Sequence, residues 1–251
     1  MKFTLFGLFV FCSTLLLAQR DSINVERNNL LMHRLKASKN SYVVWTKDLT
    51  TGATSKISIW RRDISIEKFN NRDVIVVKQI RSYEDSLNNK SVFTISDRSN
   101  FKTIYNRSER KRTGTEAFNY SDSEITGADS VNKNTKRNFK LSFSDFPFCF
   151  ELDLETLSLL PIKKTGQKLA INFYHPGGDL PRYYPVDVLS SEEIETIKGQ
   201  KIDCWKIKLS YSEDSYDVSW ISKKGNELIK FEGHYKNTIL TKVKLVSPIS
   251  Q

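Results

Sequence analysis

The chain has 251 residues, with 39 Lys and Arg against 29 Asp and Glu, so its formal charge at pH 7 is +10. Hydrophobic residues make up 39% and aromatic residues 12%, which builds a core and excludes a disordered chain. Ten Gly, six Pro and three Cys exclude collagen-like, low-complexity and disulfide-scaffold classes.

In chain order, the first feature is Met1-Lys2 followed by an apolar run, Phe3 to Leu17, closed by Ala18. One positive residue, a short apolar stretch and a small residue at its end describe a secretory signal peptide. The run is shorter than the roughly 20 residues that span a bilayer. Cys12 sits mid-run, after Val10-Phe11, so lipidation there is not expected. The division expected is a signal peptide at 1–18 and one β-rich domain at 19–251. The mature product is expected in the periplasm or secreted, with no transmembrane segment after cleavage.

Cleavage leaves Cys149 and Cys204. An exported protein could pair them, whereas their apolar neighbours Phe148, Phe150 and Trp205 favour buried thiols. Ser22 to Lys36, with Ile23, Leu30, Leu31 and Leu35, fits a short amphipathic helix imperfectly. From Ser41 the period becomes two. The pairs Ile57 and Ile59, Ile64 and Ile66, and Val74 and Val76 alternate with polar partners, as strands with one wet face do. Thr51-Gly52, Asn70-Asn71 and Asn88-Asn89 mark turns, so an antiparallel meander is expected.

The polar, basic middle from Arg107 to Asn138 reads as a solvated loop or hairpin. Five Phe follow within 139–150, and then Leu152 to Leu157, a short helical element stopped before Pro161. The last third is strands again. Asp203, Trp205, Ile207 and Leu209 share one face; Tyr216, Val218 and Trp220 share another.

The ordered set Tyr42-x-x-Trp45, Ile59-Trp60, Gly127-Ala128-Asp129-Ser130-Val131, Leu152-Asp153-Leu154-Glu155, Leu160-Pro161-Ile162, Ala170-Ile171-Asn172-Phe173-Tyr174, Lys198 to Trp205 and Trp220 to Gly225 resembles a family of uncharacterised exported Bacteroidetes proteins. That family is similar in fold to the Lol-type lipoprotein-carrier superfamily. The resemblance implies a mainly β fold: a long curved antiparallel sheet forming a half-open barrel, with short helices on the concave side. It also implies an apolar concave face that shelters acyl chains. Fold alone does not assign function.

Chemical motifs are sparse. His33, His175 and His234 lie far apart and lack zinc-ligand spacing, so no metal and no cofactor are expected. There is no nucleophile elbow and no phosphate-cradling loop. The acids Glu151, Asp153, Glu155, Asp214 and Asp217 leave hydrolysis by paired carboxylates as a remote option, and the expectation is that the protein is not an enzyme. The expected export argues against nucleic acid as a partner. The positive charge suits an anionic envelope surface instead.

The reading is an exported carrier for an apolar lipid or acyl-chain ligand, lined by Trp45, Trp60, Phe143, Phe148, Phe150, Trp205 and Trp220. Tyr174, Arg182 and Tyr183 are read as the rim of the pocket mouth around Pro176-Gly177-Gly178, the alternative there being a wide turn that joins two strands with Tyr packed at the edge. A packed interior would use the same lining residues. The alternative function is an envelope structural or interaction protein that binds polysaccharide or a protein partner through its basic loops.

Overall fold

The structure is a computed structural model that describes residues 20–196 and 199–245. The proposed signal segment, 1–18, lies outside the described residues.

Two meanders build a single sheet. The first runs through β2 (Ser38–Asp48), β3 (Ser58–Phe69), β4 (Arg72–Ser82), β5 (Lys90–Asp97), β6 (Thr103–Arg110), β7 (Gly114–Tyr120), β8 (Glu124–Gly127) and β9 (Lys140–Ser142). The second runs through β11 (Lys168–Tyr174), β12 (Arg182–Glu195), β13 (Lys201–Ser212), β14 (Ser215–Ser222), β15 (Leu228–Tyr235) and β16 (Thr238–Leu245). They join where β16 pairs antiparallel with β2, Val243 standing opposite Val43. Two short pieces, β1 (Asp21–Ile23) and β10 (Phe148–Cys149), pair parallel with successive parts of β11 and cover its edge. Such cover blunts an edge that would otherwise invite foreign strands.

The turns follow local chemistry. Asn70 and Asn71 both take positive φ, 48° and 62°, between β3 and β4, the two-residue hairpin that asparagine tolerates. The basic middle of the chain is strand rather than loop for much of its length, because β6 and β7 run through it; Arg110, Lys111 and Arg112 form the exposed hairpin end. Ser22 to Lys36 is not an amphipathic helix. Ile23 is held in β1, the side chains of Asn24 and Asn28 accept from Arg27 N (2.6 Å) and Leu30 N (2.9 Å), and only Met32–Arg34 forms a 3₁₀ turn. Asparagines that bond their own backbone compete with helix.

Period two sends Tyr42, Val44, Trp60, Ile64, Ile75, Val77, Ile207, Leu209 and Phe231 to one common core. The sheet curls around that core without closing into a barrel. Tyr120 of β7 packs against Tyr174 of β11, ring centroids 6.4 Å apart, although ten strands lie between them in the sheet. The connection between the meanders fills the concave side. It carries the buried Phe146 and Phe148, then one helix, α1 (Asp153–Ser158), whose Leu154 and Leu157 are buried. Leu31 N donates to Leu159 O at 2.8 Å and ties the N-terminal segment to the end of α1. A smaller apolar cluster, Cys204, Val218, Trp220 and Ile229, packs separately from the main core.

Candidate functional site

The concave face is packed and it is not purely apolar. Arg62 of β3 projects inward beside Trp60 and Ile64. Its Nε donates to Glu155 Oε1 at 2.7 Å, and a second nitrogen donates to Glu155 Oε2 at 2.5 Å and Glu151 O at 2.6 Å. Burial works against the charge on Arg62, and the Glu155 carboxylate more than compensates, so its pKa lies above the usual value. Glu151 is held by Lys90 Nζ (2.5 Å) and Arg81 (3.2 Å). Those two cations outweigh its burial and keep its carboxyl below the ordinary value. Lys242 of β16, 4% exposed, rests its ammonium over the rings of Trp60 (4.8 Å) and Phe231 (4.5 Å). Burial pushes its pKa down to about 8.

At one end of this interior a cleft of about 680 Å³ opens to solvent. Its walls are Phe150, His175, Tyr184, Tyr211 and Tyr235, with Leu180, Pro181, Arg182 and Asp179 at the loop side. Three strand ends supply Tyr184, Tyr211 and Tyr235, and the segment leading into α1 supplies Phe150. The rings form a continuous row. Phe150 stacks on His175 (3.8 Å, 28°), and Tyr211 contacts Tyr184 edge-on at 5.5 Å and Tyr235 at 6.4 Å. The loop returns to β12 because Gly177 adopts φ +77° and its N–H donates to Tyr174 Oη at 2.9 Å.

A carboxylate anchors this wall from behind. Asp217 of β14 is 2% exposed and accepts from the hydroxyls of Tyr211 and Tyr235, the latter at 2.7 Å. Burial raises its pKa to about 6, against the pull of both hydroxyls. Burial lowers the pKa of His175, with the nearby Arg182 adding to the effect.

The expected lining and rim residues are dispersed by this geometry. Phe150 and Arg182 reach the cleft, Arg182 lying over Tyr184 at 4.7 Å. Trp60 and Phe148 are buried, and Trp205 packs against the main core. Trp45 lies on the opposite face of β2 from Tyr42 and Val44. Trp220 belongs to the separate cluster, between Lys206 and Lys230. Tyr174 is buried against Tyr120. Phe143 and Tyr183 line a neighbouring cleft.

Sequence reading passed over Tyr211 and Tyr235 as cleft residues, and it did not single out His175 and Tyr184 within the loop segments that flank Pro176-Gly177-Gly178. A signal was present for Tyr211, which follows Ile207 and Leu209 at period two on the inward face. Three of the five acids noted in the sequence are engaged: Glu155 with Arg62, Glu151 with Lys90 and Arg81, and Asp217 with two tyrosines. Cys149 and Cys204 are free and buried, in different apolar clusters. Among the described residues no three His, Cys, Asp or Glu side chains gather as a metal site, and no helix is long and apolar enough to cross a membrane.

Residues 43–240 match a family described as proteins of unknown function, DUF3108. The chain belongs to the DUF3108 family. No curated protein matches it. Among solved structures, it is similar to a protein of Parabacteroides distasonis provisionally assigned as a lipoprotein: 12% identity, TM-score 0.33, over 84% of this chain and 96% of that one. A DUF1329 family protein of Desulfovibrio piger shares 6% identity at TM-score 0.31, over 88% of this chain and 90% of its own. At such scores neither likeness carries an argument about ligand or place.

Proposed function

We propose that this DUF3108 member is a non-enzymatic binding or carrier protein of the cell envelope, and that the aromatic cleft holds its apolar, lipid or acyl-chain ligand. The observation that carries the reading is the open 680 Å³ cleft at the end of an otherwise packed concave face. Its volume falls in the roughly 300–1,000 Å³ range of small-molecule sites, and its row of rings with Leu180 and Pro181 suits an apolar body, while Asp179 and Arg182 stand at the loop side. The leader-like segment Met1 to Ala18 supports an exported carrier, as does the resemblance of the sequence to a family of exported proteins similar in fold to Lol-type carriers. The ligand occupies the cleft rather than the centre of the half-barrel, which Phe146, Phe148 and α1 fill.

Calorimetric titration of the 19–251 chain with dodecanoate and with a lysophospholipid below its micellar concentration tests this. Binding of one equivalent is expected, lost in His175→Asp, which puts a charge among the rings at an exposed position. Ile57→Asp, at a position 63% exposed and outside the cleft, leaves binding unchanged. Absence of binding for both probes overturns the reading. It would favour a partner-binding envelope protein using the exposed basic end Arg110-Lys111-Arg112.

A further inference from the structure

The antiparallel register turns six connections, β2–β3, β4–β5, β6–β7, β11–β12, β13–β14 and β15–β16, toward one end of the half-barrel. Thr238 opposite Asp48 continues that rim across the seam between the two meanders. Among the described residues, five of the nine exposed large apolar side chains stand on it: Leu49, Ile57, Leu87, Leu180 and Tyr235, between 38% and 69% exposed. Leu180 and Tyr235 also belong to the mouth of the aromatic cleft. We propose that this rim is a membrane-docking surface that seats the cleft mouth on an anionic lipid bilayer. The inference is carried by the loop tips and stands whatever the cleft binds.

The polar residues of the rim bond one another, which leaves the apolar tips facing solvent. Leu49 N donates to Asn237 O at 2.7 Å and joins the β2–β3 connection to β15–β16. Lys56 pairs with Glu84 at 2.5 Å and joins β2–β3 to β4–β5. Leu87 crowns a 3₁₀ turn, its N–H donating to Asp85 Oδ1 at 3.0 Å. Asp85 in turn faces Arg112 of the β6–β7 connection at 3.8 Å. Four adjacent connections are thereby tied side to side, so docking has little left to order.

Spacing and charge select the partner. Neighbouring strands lie about 4.8 Å apart, so adjacent tips are spaced by about 10 Å, with polar residues between them. Separate apolar wedges of this kind suit the boundary of headgroups and acyl chains, where lipid surrounds each one. A protein interface would call for a contiguous apolar centre. From β15–β16 round to β6–β7 the rim carries Lys47, Lys56, Arg110, Lys111, Arg112 and Lys236 against Asp48, Glu84 and Asp85. Asp48 accepts from the backbone of Thr50 and Thr51, and the other two acids pair with Lys56 and Arg112. Lys47, Arg110, Lys111 and Lys236 have no acidic partner among the described residues, and such cations attract anionic headgroups. The acids Asp179, Glu213 and Asp214 belong to the other connections, so the basic arc with Leu49, Ile57 and Leu87 meets the lipid first.

Co-sedimentation of the 19–251 chain with vesicles tests this, using phosphatidylglycerol mixed with phosphatidylcholine and phosphatidylcholine alone. Binding is expected on the mixed vesicles, about tenfold weaker or more on the neutral ones, and falling as salt rises from about 50 to about 500 mM. The triple variant Leu49→Ser, Ile57→Ser, Leu87→Ser should lose at least about tenfold in vesicle affinity. Its urea midpoint should stay unchanged, since all three sites are exposed. Titrating that variant with dodecanoate in vesicle-free buffer reports on the cleft separately, because none of the three lines it. Failure to sediment with the mixed vesicles, which would leave the rim to a protein partner, overturns the proposal. Equal binding to neutral vesicles, or affinity retained in the triple variant, overturns it too.

Discussion

Arg62 and Glu155 form a two-point ion pair beneath the sheet, at 2.7 and 2.5 Å, with side chains only 2% and 4% exposed. It links β3 to α1 across the concave face and orders the segment that also carries Phe150 into the cleft wall. A buried pair of this kind contributes little over an apolar replacement, yet removing one partner strands a charge in the core.

Glu155→Ala alone is therefore expected to lower stability by about 3–5 kcal/mol in urea unfolding. The double variant Arg62→Met with Glu155→Leu should recover most of that loss. Equal losses in the single and double variants would show that the pair contributes more than orientation.

Asp217 predicts a falling stability with rising pH. Its folded pKa, about 6, lies above the ordinary 3.8, so the folded state binds the proton more tightly. The stability this confers is complete below about pH 4 and lost as pH rises through 6. Asp217→Asn should remove that slope from urea midpoints. Tyr235→Phe should move its upper end to higher pH, because the Tyr235 hydroxyl holds the carboxyl pKa down.

Lys242 acts in the opposite sense and in another window. Burial lowers its pKa from 10.5 to about 8, so holding the charge in the folded state below pH 8 is costly. Stability should rise between pH 8 and 10.5 as the folded state sheds the proton ahead of the unfolded chain. Lys242→Met should raise the urea midpoint at pH 7 and flatten that rise.

How much of this was legible depended on period and sign. Alternation around Ile64, Ile207 and Leu209 announced strands because each has one face against the core, whereas Ile57 and Ile59 alternate on the outer face. Asn70-Asn71 announced its hairpin through backbone tolerance, and Pro161 the end of α1. The cleft was less legible. Trp45, Trp205 and Trp220 attracted attention by size, whereas the strand register sends Trp45 and Trp205 to opposite faces and Trp220 to a separate cluster. The burial of Asp217 and Lys242 was not legible, since a single strand does not reveal that a charged residue on it faces the interior. Arg62 was hidden in the same way, its partner Glu155 standing 93 residues away.

The thiols offer a simple check on the two apolar clusters. Burial pushes Cys149 up to about 12 and Cys204 up to about 11. Neither should react with a disulfide reagent at pH 8 in the native 19–251 chain, and both should react in guanidinium. Rapid native reaction at Cys149 would mean that the Phe146–Phe150 segment opens readily.

Native mass spectrometry of the 19–251 chain recovered from a cell-envelope fraction decides whether the cleft carries a ligand. One bound acyl-bearing molecule is expected, released by solvent extraction and absent from His175→Asp folded to the same melting temperature. An apo mass for the wild type, unchanged after incubation with envelope lipid extract, would contradict it.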